Sequence, residues 1–356
     1  MVTGILRCPT GYEGPVTEPC SPVIRSSNHR CTDTDTDDDR RAAVARDFAA
    51  VVDAGGLDLP HPGGGSTRRR WALLSDLAAD DLCLARLAEA HVDAVAILAE
   101  LGGPAPVPGS RWGVWAARPP SPQLTARRTD RGWVLVGTKP WCSGAHACTH
   151  ALVTAEAPDG YRLFAVVLDG GARPRPGTSA AVGMAAADTL EVEFPQLPAT
   201  SVGGPGAYLD RPGFWWGAMA VAACWYGGAV GVARVLAEAG SAGTLGSHGL
   251  AHLGAVEAVL STVGTAVDAA AGAVDDDPDD LGGTGERRAL ALRAATEAAA
   301  VHVLERVGRA LGAGPVCFDA RHARLVADLP VYLRQSHAER DLARLGALVA
   351  GREARR

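Results

Sequence analysis

Residues 139–155 read KPWCSGAHACTHALVTA, which places Cys142, His146, Cys148 and His150 within nine positions. Thiolates and imidazoles are the usual ligands of zinc. On a strand, the alternation of His146, Cys148 and His150 puts all three on one face. That face could hold a metal if further ligands came from elsewhere, and it could equally line an ordinary sheet surface. The same stretch opens with Trp141 and Ser143. Those two side chains raise a third possibility, that they hold something themselves. A core tryptophan and a turn serine are the alternative reading.

The surrounding elements must position these side chains. The chain has 356 residues, 47% hydrophobic and 21% charged, with a net charge of −6. Such a length allows two or three domains. No dense basic stripe is present, so nucleic acid is not an expected partner. The run RRR at 68–70 reads as a solvated turn. Arginine is plentiful and lysine scarce, with abundant Gly and Ala, as in proteins of GC-rich bacteria. Eight scattered cysteines without a repeated CxxC point to free thiols in a cytoplasmic protein. The stretch Phe214–Leu236 comes closest to a membrane span. Its small and aromatic residues favour a buried helix, so no membrane is expected.

Residues 1–38 read as a disordered leader, because CTDTDTDDD is acidic and almost devoid of apolar side chains. Asp39 then starts a helix with Val44, Phe48 and Val51 at helical spacing, ended by Gly55 and Gly56. The loop LPHPGGGST precedes a long stripe over 69–103, read as two helices. From 111 to 203 the pattern changes to alternation, with turns at TDRG, PDG and DGG. This predicts an antiparallel β domain. Four helical stretches follow, 213–239, 249–274, 284–311 and 319–349, as in a bundle. The order predicts an α+β fold with segregated layers: a helical domain over 39–108, a β domain over 109–205 and a helical bundle over 206–356.

This order and three local motifs resemble the acyl-CoA dehydrogenase family of flavoproteins. GTKPWCSGA followed by THALVTA is similar to the family pattern G-x-K-x-W-x-[ST]-x-A and its strand. ALGAGPVCFDARHARLVADLPVYLRQSHAERDLARLG is similar to the family's glycine turn and following helix. DLPHPGGGST with LAADDLCLARLAEAH is similar to its N-terminal helices. The resemblance covers about residues 40–350. It implies an N-terminal helical domain, a central antiparallel β domain and a C-terminal four-helix bundle. FAD would lie between the β domain and the bundle of a homodimer or homotetramer, with a neighbouring subunit completing the site. It further implies dehydrogenation of a small-molecule substrate such as an acyl-CoA, or oxygen chemistry in relatives fed by a separate reductase.

Carried over position by position, Trp141 packs on the flavin ring and Ser143 reaches its N5 region. Val114, Ala116 and Ala117 offer backbone groups to the pyrimidine edge, although the family's TEPxxGSD is here AARPPSP, with Arg118 in place of Glu. The RxxFG arginine is missing from AGSAGTLGSHG (239–249), which weakens the hold on a pyrophosphate. Arg309 could compensate, beside the turn of Gly312 and Gly314. Ser336 falls where many members carry the catalytic Glu, with His337 beside it. A neutral serine cannot take an α proton without a partner, and Glu257 lies in the broad region of the family's alternative base. His337 would suit proton handling in a monooxygenase; SHAERDL also reads as an exposed helical turn. The leading expectation is an FAD-dependent oxidoreductase acting on an acyl thioester or related carbonyl compound. A monooxygenase or oxidase, or a silent scaffold subunit of the same fold, are the alternatives. No metal is expected, since the flavin pattern accounts for the His and Cys residues.

Overall fold

The computed structural model describes residues 36–118 and 123–351. The leader up to residue 35 and the PPSP part of AARPPSP lie outside them. Helix α1 (Asp37–Asp53) starts two residues earlier than Asp39 suggests. Thr36 caps it, accepting from the Asp39 N–H, while the Asp39 carboxylate accepts from the Thr36 N–H. The end of the acidic run, Asp37, Asp38 and Asp39, thus supplies the negative first turn a helix favours. Helices α2 (Thr67–Asp80) and α3 (Leu82–Glu100) follow. The arginine run belongs to α2 and is not a solvated turn, for Arg70 is buried.

The described residues form two compact units. One holds 36–62, 83–118 and 123–217; the other holds 63–82 and 218–351. In the first, strands β1 (Trp112–Trp115), β2 (Leu124–Thr129), β3 (Gly132–Cys142), β4 (His150–Ala157), β5 (Gly160–Val167), β6 (Arg173–Arg175) and β7 (Leu190–Val202) form one sheet. The expected TDRG and PDG turns close the β2–β3 and β4–β5 hairpins. The pairing is not all antiparallel as expected: β4 runs parallel to both β1 and β2. Side-chain alternation has period two in either direction, so the pattern could not separate the two cases. The pairings β4–β2–β3–β7–β5–β4 close on themselves, which leaves few free edges. Trp112, Leu152, Leu163, Ala165 and Val202 pack on Ala94, Ile97 and Leu98 of α3. A one-turn helix, α4 (Ala207–Asp210), follows β7. Beside it the buried Arg211 pairs with Glu100 at 2.6 Å.

Helix α5 (Gly213–Ser241) leads into the second unit, which also contains α6 (Ser247–Asp276), α7 (Gly285–Leu311), α8 (Gly314–Phe318), α9 (Ala320–Tyr332) and α10 (Glu339–Val349). Two glycines of α5 let α2 approach closely. A Cβ on Gly227 would stand 2.1 Å from the Ser75 carbonyl oxygen, and one on Gly231 2.5 Å from that of Ala79. Asp275 of α6 holds the start of α2, accepting from the Gly65 and Thr67 N–H groups at 3.0 Å and from the Thr67 hydroxyl at 2.6 Å. The stretch 319–349 is not one helix. A 3-10 turn (Leu333–Gln335) and Ala338 at φ +46° break it, because Pro330 removes an N–H donor from the last turn of α9.

Two helices, α5 and α6, are long and apolar enough to cross a membrane, where the sequence reading found none. The relevant window is 83% buried in α5 and 28% buried in α6.

Candidate functional site

The opening motif lies in the sheet-containing unit. Strand β3 carries Lys139 inward and ends with a register shift against β7 between Lys139 and Cys142. The irregularity puts Trp141 at φ +58°, a left-handed conformation that costs a non-glycine residue roughly 1–2 kcal/mol. The result is an indole 59% exposed beside a buried sheet. Strain of this kind collects where a side chain must be aimed.

Ser143 follows in the turn and is nearly buried. Its hydroxyl lies 3.0 Å from that of Thr189. Its carbonyl oxygen accepts the indole N–H of Trp115 at 2.9 Å. Trp115 ends β1, so this bond ties the Ser143 turn to the strand carrying Val114, whose following residues are Ala116 and Ala117. The five residues assigned to one side of a flavin therefore lie on two segments joined by this one bond. Val114 is partly buried against the α3 core. Arg118, in place of the expected Glu, pairs with Glu156 at 3.0 Å and lies over the Tyr161 ring at 4.6 Å.

The remaining assigned residues belong to the helical unit. Arg309 is exposed and pairs with Glu305 one turn away on α7, at 3.1 Å. Gly312 ends that helix at φ +65°. Ser336 is not on a helix: it follows the 3-10 turn, and its hydroxyl oxygen accepts from the Ala338 N–H at 3.1 Å. His337 is exposed. Asp341 accepts its main-chain N–H and lies 3.2 Å from its Nδ1. The segment is therefore a helix break rather than the expected exposed helical turn. Arg293 places it, donating to the Gln335 carbonyl at 2.8 Å while its guanidinium lies 4.5 Å from the Trp225 ring centre. Glu257 is exposed on α6.

The strand reading of His146, Cys148 and His150 is corrected. Only His150 lies on a strand; Gly144 at φ +69° turns the chain before it. Cys148 is buried, and burial pushes its thiol up to about 12. Cys142 is likewise raised by burial, and neither thiol has the ionised character that reactivity needs. His150 stacks on Trp112, with ring centres 4.7 Å apart. Among the described residues no group of three or more His, Cys, Asp or Glu side chains is placed to hold a metal ion.

Two arrangements were not anticipated. Lys139, the one lysine of the sequence, is 2% exposed. Its ammonium donates to the Thr154 carbonyl at 2.7 Å and hydroxyl at 2.8 Å. Burial lowers its pKa to about 8. The second arrangement is His146 with Asp188 and Arg41, whose positions lie far apart in sequence and share no motif.

No protein-family model matches this sequence, and a search of curated proteins finds no match. Solved structures do match. Dibenzothiophene monooxygenase TdsC from Paenibacillus sp. A11-2 is 18% identical, with 87% of this chain and 95% of that one covered at a TM-score of 0.68. FMN-bound TdsC matches at 0.69. The HsaA monooxygenase from M. tuberculosis is 14% identical, covering 90% and 95% at 0.68. A steroid acyl-CoA dehydrogenase variant, Tcur3481-Tcur3483, is 21% identical, covering 89% and 93% at 0.65. The chain has the acyl-CoA dehydrogenase-like fold shared by these enzymes.

Proposed function

We propose that the protein is a flavin-dependent oxidoreductase acting on a small molecule. The observation that carries this reading is Trp141. A left-handed backbone holds its indole out from the sheet, next to Ser143 and, through Trp115, to the end of β1. That surface fits a flat ring: an apolar wall with backbone groups at its side. A bound flavin would supply a two-electron acceptor or, once reduced, an oxygen-activating centre. Trp141 would stack on the ring, and Ser143 and the Val114–Ala117 backbone would orient it; in the helical unit, Arg309 and the Gly312 turn are by resemblance the candidates for a phosphate contact. FAD is the expected form. FMN, the cofactor of the TdsC complex, is the alternative, and the missing RxxFG arginine favours it because FMN has a single phosphate. The three-domain division and a homodimeric or homotetrameric cytoplasmic state belong to the same proposal.

Two chemistries divide the class. An acyl thioester dehydrogenase needs a base for the α proton, and Ser336, its hydroxyl engaged by the Ala338 N–H, is not one. This favours the second reading, a monooxygenase supplied with reduced flavin by a separate reductase. His337, with Asp341 at its Nδ1, would be the proton-handling group. The visible spectrum of the purified protein tests the class: oxidised-flavin bands, or their appearance on adding FAD or FMN, are expected. A protein that neither holds nor takes up flavin defeats it. Anaerobic bleaching by an acyl-CoA marks the dehydrogenase; oxygen uptake dependent on a reductase marks the monooxygenase.

A further inference from the structure

A second constellation lies wholly within the sheet-containing unit and does not depend on the flavin reading. Asp188 follows the short 3-10 turn Ala185–Ala187 at φ +50°, its carboxylate 2% exposed. One oxygen, Oδ2, accepts the main-chain N–H of His146 at 2.8 Å and lies 2.9 Å from His146 Nδ1. The other, Oδ1, faces Arg41 Nε at 3.2 Å without a hydrogen bond. The Asp188 carbonyl in turn accepts the Ala145 N–H at 3.1 Å. Arg41 also donates to Asp38 at 2.7 Å. These four side chains line a cavity of about 260 Å³ whose other walls are Ala42, Ala45, Leu87, Ala147 and Ala186.

A carboxylate only accepts, so its bond to Nδ1 places the proton there and leaves Nε2 of the neutral ring as a bare acceptor. The His146 side chain is 57% exposed, so Nε2 can be reached. The fixed carboxylate holds the ring in this tautomer and orientation, as the aspartate of a serine-hydrolase triad does.

The charges select the ligand. One guanidinium stands against two carboxylates, so the lining is net negative while His146 is neutral, and an anion is disfavoured. A metal ion lacks a third ligand here. The walls are alanine and leucine, which suit a flat apolar body, and the volume suits a single ring. We propose that this cavity binds a small neutral phenol and that His146 accepts its proton. The ligand O–H bond breaks, the proton bonds to Nε2, and the electron pair stays on the phenolate oxygen. Asp188 and Arg41 are positioning residues: the first holds the ring, the second holds the carboxylate.

The test uses the full chain and para-nitrophenol, whose ionisation is visible. The titration is run at the ligand's pKa in water, where an ordinary imidazole is mostly neutral and half of the free ligand is still the phenol. The expected result is a saturable growth of the phenolate band at constant pH, with affinity at least tenfold weaker in His146→Gln. Asp188→Asn should lower the phenolate fraction of the bound ligand severalfold. No saturable change, or an unchanged titration in His146→Gln, overturns the proposal. Equal binding of para-nitroanisole, which has no O–H, overturns the proton transfer. Circular dichroism checks each variant. If the buried Asp188→Asn does not fold, the exposed His146→Gln decides alone.

Discussion

The indole N–H of Trp115 donates to the carbonyl oxygen of Ser143 at 2.9 Å, joining the end of β1 to the turn that follows Trp141. Both groups are buried, so neither recovers a partner from water if the other is removed. Trp115→Phe keeps an aromatic in the core but deletes the donor of this bond together with part of the indole, so a packing loss adds to the lost bond. A buried acceptor left unpaired costs about 1–3 kcal/mol. Chemical denaturation should show a loss of at least that size, together with lower flavin content. A variant as stable as the parent would show that the bond does not hold the turn.

Trp141 gives the complementary case. Its ring is 59% exposed, so Trp141→Ala removes little packing, and thermal stability should change little. Flavin absorbance per protein should fall severalfold. Unchanged occupancy would remove Trp141 from the cradle.

Lys139 makes stability depend on alkaline pH. Its ammonium is buried and titrates near 8 in the folded protein against 10.5 in the unfolded chain. Below pH 8 both states carry the proton and the burial penalty is fully present. Between about 8 and 10.5 the unfolded chain binds a proton that the folded one has released, so this group's contribution rises with pH. The full span is about 3 kcal/mol, at 1.36 kcal/mol per unit. Lys139→Met should lose this rise, as denaturation at pH 7, 8.5 and 10 would show. Because the sequence has one lysine, lysine-selective isotope labelling yields a single side-chain resonance. A midpoint near 10.5 in the folded protein would refute the shift.

Gly227→Ala should destabilise the helical unit. The added methyl would lie 2.1 Å from the Ser75 carbonyl oxygen, and that atom is backbone and cannot swing aside. Overpacking of this kind costs about 1–3 kcal/mol, and a backbone clash this close puts it at the upper end, above the about 1 kcal/mol of helix propensity that alanine gains over glycine. Gly254→Ala, on α6 with nothing within 4 Å of its added Cβ, is the control and should be neutral or stabilising.

Asp275→Ala should detach the start of α2. Two N–H groups and the Thr67 hydroxyl lose a charged acceptor at once. Removing a helix-capping side chain costs about 0.5–2 kcal/mol. Asp275→Asn, which keeps an acceptor oxygen, should lose less. Equal losses in both variants would show that the charge, not the acceptor, is what matters.

The local elements were legible in the sequence because each depends on near neighbours. Periodicity marked α2, α3, α5, α6 and α7, and the TDRG and PDG turns marked two hairpins. The motif GTKPWCSGA pointed to a family through its resemblance, and the fold comparison agrees with that family's fold. Alternation could not say that β4 lies parallel to β1 and β2, since that depends on the path of the connections. It also placed His146 and Cys148 on a strand, because Gly144 and its turn break the alternation only in three dimensions. Only the tertiary structure grouped α2 with the C-terminal helices and α1 with the sheet. Only it set His146, Asp188 and Arg41 around one cavity, for contacts across 42 and 147 residues of chain follow from how the elements pack and not from local composition.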